Sequence, residues 1–377
     1  MHTSLLMLSS LTFLLFAVHL DAQEKMPTTM PDDLRLKDYQ PKAIHKVPVT
    51  TITKGKYPVI DMHSHPYLKT EEDVAKWVRI MDATGIEKVV ILSGATGSRF
   101  DSLYPLYAKY KGRFEVWCGF DYTGCNDPGY GPAAVAELER CVKAGATGVG
   151  EMVDKGRGFG VRMREAATAP APATQSAKKT TPMHIDDPRM DMLMEKCAAL
   201  KLPVNVHVAD PIWMYQPMDL TNDGLMNAFT WRLDNKPNQM GYDDLIASLE
   251  RATRRHPKTT FIACHFANLD SDLARAGALL DRCPNLYLDI SARYGEVGVT
   301  PRFTAQFYKD HQDRLFYGTD NNPSEDMYRL TFRMLESLDE HFYAPLFGYH
   351  WSYYGLGLDD RVLRKLYRDN ARKVLKR

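Results

Sequence analysis

In PVIDMHSHPYL, residues 58 to 68, an otherwise apolar run carries an acid and two histidines: Asp61, His63 and His65. An HxH pair suits metal chelation, because two neighbouring imidazole nitrogens can approach one point. Other apolar runs end in the same residue types. GVGEM holds Glu151, VNVHVAD holds His207, FIACHFAN holds His265 and LFYGTD ends on Asp320. The chain has 12 histidines, and His63, His65, His207 and His265 all fall at such ends. Singly, each residue has an ordinary role. An inward histidine is commonly a hydrogen-bonded core residue, Asp320 could cap a following helix, and Glu151 could pair with Lys155 or Arg157. Together, imidazoles and carboxylate buried at one rim are costly without a metal, because buried polar groups need partners. The set therefore predicts a divalent-metal site. Zn(II) suits these donors best, and Mn(II) or Fe(II) also fits.

Something must bring these run ends to one rim. Eight short apolar runs recur from Tyr57 on: YPVIDMHSH, EKVVILSG, RFEVWCGFDY, GATGVGEM, LPVNVHVAD, TTFIACHFAN, NLYLDIS and RLFYGTD. Helical patterns separate them, among them EEDVAKWVRIMDATG, GPAAVAELERCVKAG, GYDDLIASLERATRRH and RFTAQFYKDHQD. Regular strand–helix alternation predicts a parallel sheet with crossover helices. Eight units predict an α/β fold, a (β/α)8 TIM barrel spanning 57–377. An open doubly wound sheet would want a glycine-rich phosphate turn after its first strand, and HSHP stands there instead. Strand alternation groups His63 and His65 with Val59 and Asp61, expected inward, and turns Ile60, Met62 and Ser64 toward the helices. It also turns Asn205 and His207 inward, and groups Glu151 with Val149, His265 with Ala263 and Asp320 with Gly318.

Two long insertions follow strands, on the face where barrels build active sites. Residues 155 to 187 include the low-complexity AATAPAPATQSAKKTT, read as a solvated loop or a mobile lid. Residues 209 to 241 carry Trp213, Phe229 and Trp231, and are expected to pack as a pocket wall. A third aromatic stretch, GYHWSYYGLG at 348 to 357, either packs over the barrel top or joins that wall.

The N-terminus reads as a targeting segment. Leu5 to Leu20 is almost wholly apolar, short for a membrane span, and followed by polar sequence with Ala22 before the cleavage point. Residues 1–22 are expected to be a signal peptide, giving an exported chain, periplasmic or secreted, with no stable membrane insertion after cleavage. Residues 23–56, with Pro27, Pro31, Pro41 and Pro48, read as an extended arm. The six cysteines are scattered without a CxxC pair, and most read as small buried hydrophobes. Lys plus Arg (48) nearly balances Asp plus Glu (47), which argues against nucleic acid as a partner. A small-molecule substrate is expected, and a homo-oligomer is compatible with the sequence.

With HxH on the first strand, histidine on the fifth and sixth and aspartate on the eighth, the chain resembles the amidohydrolase superfamily of metal-dependent hydrolases. The closing DDRVLRKLYRDNARKVL resembles the end of the branch called amidohydrolase family 2. The resemblance implies His63, His65 and His207 as metal ligands. It makes His265 a second-metal ligand or a catalytic polarising group, and Asp320 both a ligand and the acid that takes a proton from water. Many two-metal members carry a carboxylated lysine on the fourth strand. This chain has Glu151 there, and Lys155 comes four residues later. Some members use glutamate to bridge two metals, and that is the role expected of Glu151. One-metal members do without a fourth-strand ligand, which would leave Glu151 beside the ligands or on substrate.

A divalent cation makes hydroxide available near neutral pH, so the expected reaction is hydrolysis of an ester, lactone, amide or related bond. One rival is a decarboxylase of an acidic substrate, as in the aminocarboxymuconate-semialdehyde and γ-resorcylate decarboxylases of the same branch. It needs a cation near the metal, and Arg293 in DISARYG is the candidate, with an ion pair to Glu296 as its ordinary role. Trp213 and Trp231 are the other candidate substrate contacts. A second rival is a non-catalytic binding protein with a structural metal.

Overall fold

The computed structural model describes residues 33–159, 182–236 and 239–375. The expected signal peptide and the low-complexity part of the first insertion lie outside them. The chain divides after Tyr39. Before that point, Leu36–Asp38 forms a single 3-10 turn. From residue 40 on, eight parallel strands pair in chain order: β1 Val59–Ser64, β2 Ile86–Ala95, β3 Phe114–Cys118, β4 Val149–Asp154, β5 Val204–Val208, β6 Phe261–Ala263, β7 Leu286–Asp289 and β8 Leu315–Phe316. The last strand meets the first: Met62 N–H donates to Tyr317 O at 2.9 Å, and Asp320 N–H to His63 O at 2.9 Å. This is the expected TIM barrel.

The helices cover the strands for ordinary reasons. Glu71–Thr84 starts on Thr70, whose hydroxyl accepts from Asp73 N–H, and ends at Gly85 in the left-handed region. Its buried Val74, Trp77 and Met81 recur at helical spacing. The helix after β8, Glu325–Glu336, lies in a stretch that the sequence reading did not single out as helical. Its signals are present in SEDMYRLTFRMLES: Ser324 caps Met327 N–H, and Met327, Tyr328, Thr331, Phe332 and Leu335 form the buried face. Residues 40–56 hold no helix or strand and lie against the barrel unit, where Thr50 donates to Asp339 through both N–H (2.8 Å) and hydroxyl (2.6 Å).

Inside the barrel, the face expected for the first strand is reversed. Ile60 and Met62 point inward, where they pack with Val90, Leu92, Trp117, Ile262 and Phe316 as an apolar floor. Val59 packs outward with Val74 and Trp77 of the helix layer. Asp61 also leaves the interior, accepting from Thr319 hydroxyl (2.6 Å) and Tyr328 hydroxyl (3.3 Å). On β5 the expected alternation stands, since Val204, Val206 and Val208 pack outward. All six cysteines are free, five of them buried. Among the described residues, no helix is long and apolar enough to cross a membrane.

Candidate metal centre

His63 reaches the barrel mouth although Ile60 and Met62 face the interior, because β1 breaks register. Asp61 pairs with Val89 and Ser64 with Ile91, so one extra residue is inserted between them. The ladder of β4 does the same around Glu151: Val149 pairs with Val204 and Met152 with Val206. His265 and Asp320 are turned by backbone conformation instead, at φ 58° and 50°. Gly318 makes room beside them, because a Cβ there would lie 2.8 Å from His63 Cβ.

Each imidazole is pinned on one side. His63 Nδ1 donates to Asp289 (2.9 Å), His65 Nδ1 to Leu92 O (2.9 Å), His265 Nδ1 to Ser291 O (2.9 Å) and His207 Nε2 to Asp210 (3.2 Å). Those acceptors place the N–H of His63, His65 and His265 on Nδ1 and leave Nε2 as the inner nitrogen, whereas His207 stands between two carboxylates, its Nδ1 also hydrogen-bonded to Glu151 at 2.8 Å. The inner nitrogens converge on two carboxylates. Glu151 Oε1 lies 2.8 Å from His207 Nδ1, 3.7 Å from His265 Nε2 and 3.9 Å from His63 Nε2. Its other oxygen lies 3.5 Å from His65 Nε2. Asp320 lies 3.2 Å from His65 Nε2 and 3.8 Å from both His63 and His265 Nε2. Tyr67 hydroxyl donates to Asp320 at 2.9 Å.

These donors fit a divalent cation. His63 Nε2 is buried and has no hydrogen-bond partner. Ligand bonds of roughly 2.0–2.2 Å in a tetrahedral shell put donor atoms about 3.3–3.6 Å apart, near the spacings above. Two overlapping ligand groups emerge: His63, Glu151, Cys264 and His265, and His63, His65 and Asp320. Cys264 was not foreseen there. Burial pushes its thiol well up, so it stays protonated and donates to Asn205 Oδ1 at 2.9 Å.

The electrostatics show how much charge the cluster holds. Burial alone would pull His63 down, but Asp289, Asp320 and Glu151 together raise its pKa to about 10, so Nε2 carries a proton that a bound cation would displace. Burial lowers His265 to about 4. Burial resists ionisation of Asp289 as well, yet His63 overcomes it and brings the carboxyl to about 2. Asp320 and Glu151 are likewise held low against burial, by His63 and by His207 respectively.

The residues around the cluster were the harder ones to foresee. Asp289, Asp210, Ser291 and Tyr67 hold the ligands, and the only hint in the sequence is the acid closing the apolar run NLYLD. Lys155 donates to Asp210 at 2.9 Å and so supports His207 from behind. Arg293 is buried and donates to Asn268 Oδ1 (2.6 Å), with Asp270 and Glu296 each at 3.6 Å. Its expected ordinary pairing with Glu296 is therefore present. Trp213 is buried beside Trp351 (ring centroids 6.1 Å apart), whereas Trp231 stands 62% exposed and lines none of the described cavities.

A parallel barrel with histidines and acids gathered at its mouth defines a metal-dependent TIM-barrel enzyme. The family model for Amidohydrolase matches residues 57–377. The chain belongs to the amidohydrolase family, whose members are metal-dependent hydrolases and decarboxylases. Among solved structures it is similar to a provisionally assigned amidohydrolase from Staphylococcus aureus (17% identity, TM-score 0.51, covering 84% of this chain and 99% of that one). It is also similar to a 2,6-dihydroxybenzoate decarboxylase from Rhizobium (17% identity, TM-score 0.50, covering 85% and 99%). At this identity the likeness is one of fold. A search of curated proteins finds no match.

Proposed function

We propose that this protein is a hydrolase of a small-molecule ester, lactone, amide or related bond, holding one or two divalent cations, Zn(II) first among them. The observation that carries the reading is the set of four imidazoles converging on Glu151 and Asp320, three of them pinned outward through Nδ1 and the fourth, His207, held between Glu151 and Asp210. In this reading His63, His65, His207 and Asp320 are ligands, and His265 is a ligand or polarising group. Glu151, which faces both ligand groups with different oxygens, bridges them. A cation held there supplies Lewis-acid polarisation and hydroxide at neutral pH. Asp320 is ionised, the state that accepts a proton, and can return it to the leaving group. Tyr67 stays protonated, because burial and Asp320 raise its pKa, and its hydroxyl fixes the Asp320 oxygen it donates to.

Two observations favour hydrolysis over decarboxylation. Glu151 adds a second carboxylate to the mouth, which repels an acidic substrate. Arg293, the cation such a substrate would need, is already engaged by Asn268, Asp270 and Glu296. Trp213 lines a cavity with Trp351 rather than the described metal cluster, and Trp231 contributes only by a rearrangement of its exposed turn. The apolar leader supports export of the mature chain, which N-terminal sequencing of protein from the culture medium or periplasm tests.

Metal stoichiometry of purified wild type and Glu151→Gln tests the site. Two ions falling toward one support the bridge, and an ester, lactone and amide panel follows. One ion in both proteins removes the bridge and raises the decarboxylase reading. Failure to retain metal after metal-replete expression overturns the assignment. Chelation should abolish activity while the protein stays folded; unfolding instead would point to a structural metal.

A further inference from the structure

Behind the metal cluster, the loops after β5 to β8 enclose a second cavity of ≈ 420 Å³. Arg293 and Asn268 stand between the two. Two carboxylates line the cavity, Asp270 and Glu296, and both are more than nine-tenths buried. They share one guanidinium, that of Arg293, at 3.6 Å each. Burial raises the pKa of both carboxyls, Glu296 to about 7, so a second cation beside them would favour their fully ionised pair. Asp270 Oδ1 and Glu296 Oε2 are buried without a hydrogen bond of normal geometry, although Tyr349 hydroxyl also faces Glu296. Asp223 adds a further acid to the lining, and it is exposed.

The opposite wall is aromatic. Trp213 lies against Trp351, and Gly224 permits the close approach that fixes it, since a Cβ there would sit 2.2 Å from the Trp213 ring. Trp351 is tied down by its indole N–H, which donates to Gly295 O at 3.1 Å. The Trp213 indole nitrogen, in contrast, is buried with no acceptor. The cavity lining continues to Val299 and Phe303, 42% and 57% exposed, which give it a way to solvent apart from the metal cluster.

We propose that this cavity binds a small organic ammonium ion that also carries an oxygen acceptor, in the manner of an amino alcohol. The ammonium is the second cation beside Asp270 and Glu296, the aromatic walls favour a cation on their faces, and the oxygen accepts from Trp213. The site is independent of the metal and of the reaction proposed above.

The test is ligand-observed NMR titration with 4-aminobutan-1-ol and its neutral isostere pentan-1-ol, on metal-loaded and on chelated protein. The amine is expected to saturate at least about tenfold more tightly than the alcohol, equally with and without metal. Glu296→Gln should weaken the amine by a similar factor and leave the alcohol unchanged, and Trp351→Leu should weaken both. Equal binding of amine and alcohol, or no saturable binding of either, overturns the proposal on wild type alone, whatever the variants do. Amine binding that disappears on chelation and ignores Glu296→Gln overturns it too, by placing the amine at the metal centre.

Discussion

At the floor of the barrel, Ile60, Met62, Val90 and Leu92 point inward from alternate positions and meet Ile262 and Phe316 from the far side. At the mouth, a few residues further along the same chain segments, that rule is suspended. An extra residue enters β1 before His63 and β4 beside Glu151. Left-handed backbone turns His265 and Asp320, and it continues through Phe266, Ala267 and Asn268. Such conformations cost about 1–3 kcal/mol each for non-glycine residues. They persist because the strands beneath them are packed well enough to hold them. Side chains that only fill space can follow the period of the strand. Side chains that must meet at one point cannot, and the chain departs from regularity where they do.

The largest expected effect tests the mouth. Asp320→Asn keeps the shape but removes the carboxylate that faces the Nε2 atoms of three imidazoles. Against whichever panel compound wild type hydrolyses, kcat/KM should fall by about 10³-fold or more, while the thermal midpoint stays near wild type. Activity within about tenfold of wild type would remove Asp320 from the chemistry and leave the mouth without its proton acceptor.

The matching change at the floor should do the reverse. Phe316 is wholly buried among the inward residues, and Phe316→Ala should destabilise by about 3–5 kcal/mol through lost burial and a residual cavity. Urea unfolding measures it. The folded fraction should still bind metal with near wild-type affinity. If metal affinity fell in step with stability, floor and mouth would be one cooperative unit and the contrast between them would fail.

That contrast also explains what could be read from the sequence. The barrel was legible because its strands and crossover helices recur with simple periods, and the cluster was legible because histidines are few and stand at run ends. The facing of β1 was not. Alternation places His63 with Val59, and in the structure Val59 looks outward, so the inserted residue, invisible to pattern, moves His63 inward. Only His207, on a regular strand, reaches the mouth by alternation alone. The partners of the ligands were illegible for another reason: Asp289 and Asp210 meet His63 and His207 across the fold or around a turn, and no local spacing encodes that.

Asp289 offers a smaller, sharper test. It accepts from His63 Nδ1, the His265 backbone N–H and Ser291, so it orients the His63 ring directly and the His265 ring through its backbone and Ser291. Asp289→Asn should weaken metal binding by about 10- to 100-fold, the usual cost of losing a carboxylate behind a ligating histidine. Competition with a chelating dye reads it. Unchanged affinity would mean that the imidazoles are aimed by packing alone, as the floor residues are.

The smallest effect comes from a carboxylate outside both regions. Glu137 pairs with Arg140 (2.8 Å) and accepts from Gly97 N–H (2.7 Å) at the start of the helix after β2. Chiefly through the Arg140 hydrogen bonds, its pKa is lowered from 4.5 to about 2. A folded-state value below the unfolded one means stability that is complete above pH 4.5 and lost as pH falls through about 2. Partial exposure screens the pair, so Glu137→Gln should cost only about 1 kcal/mol at pH 7. The gap between wild type and variant should narrow in urea melts repeated at pH 3. Metal affinity at pH 7 should not move, because Glu137 touches none of the ligands. A gap that widens in acid would reverse the sign of this linkage, and a change in metal affinity would show that the mouth responds to surface charge as well as to the partners behind its histidines.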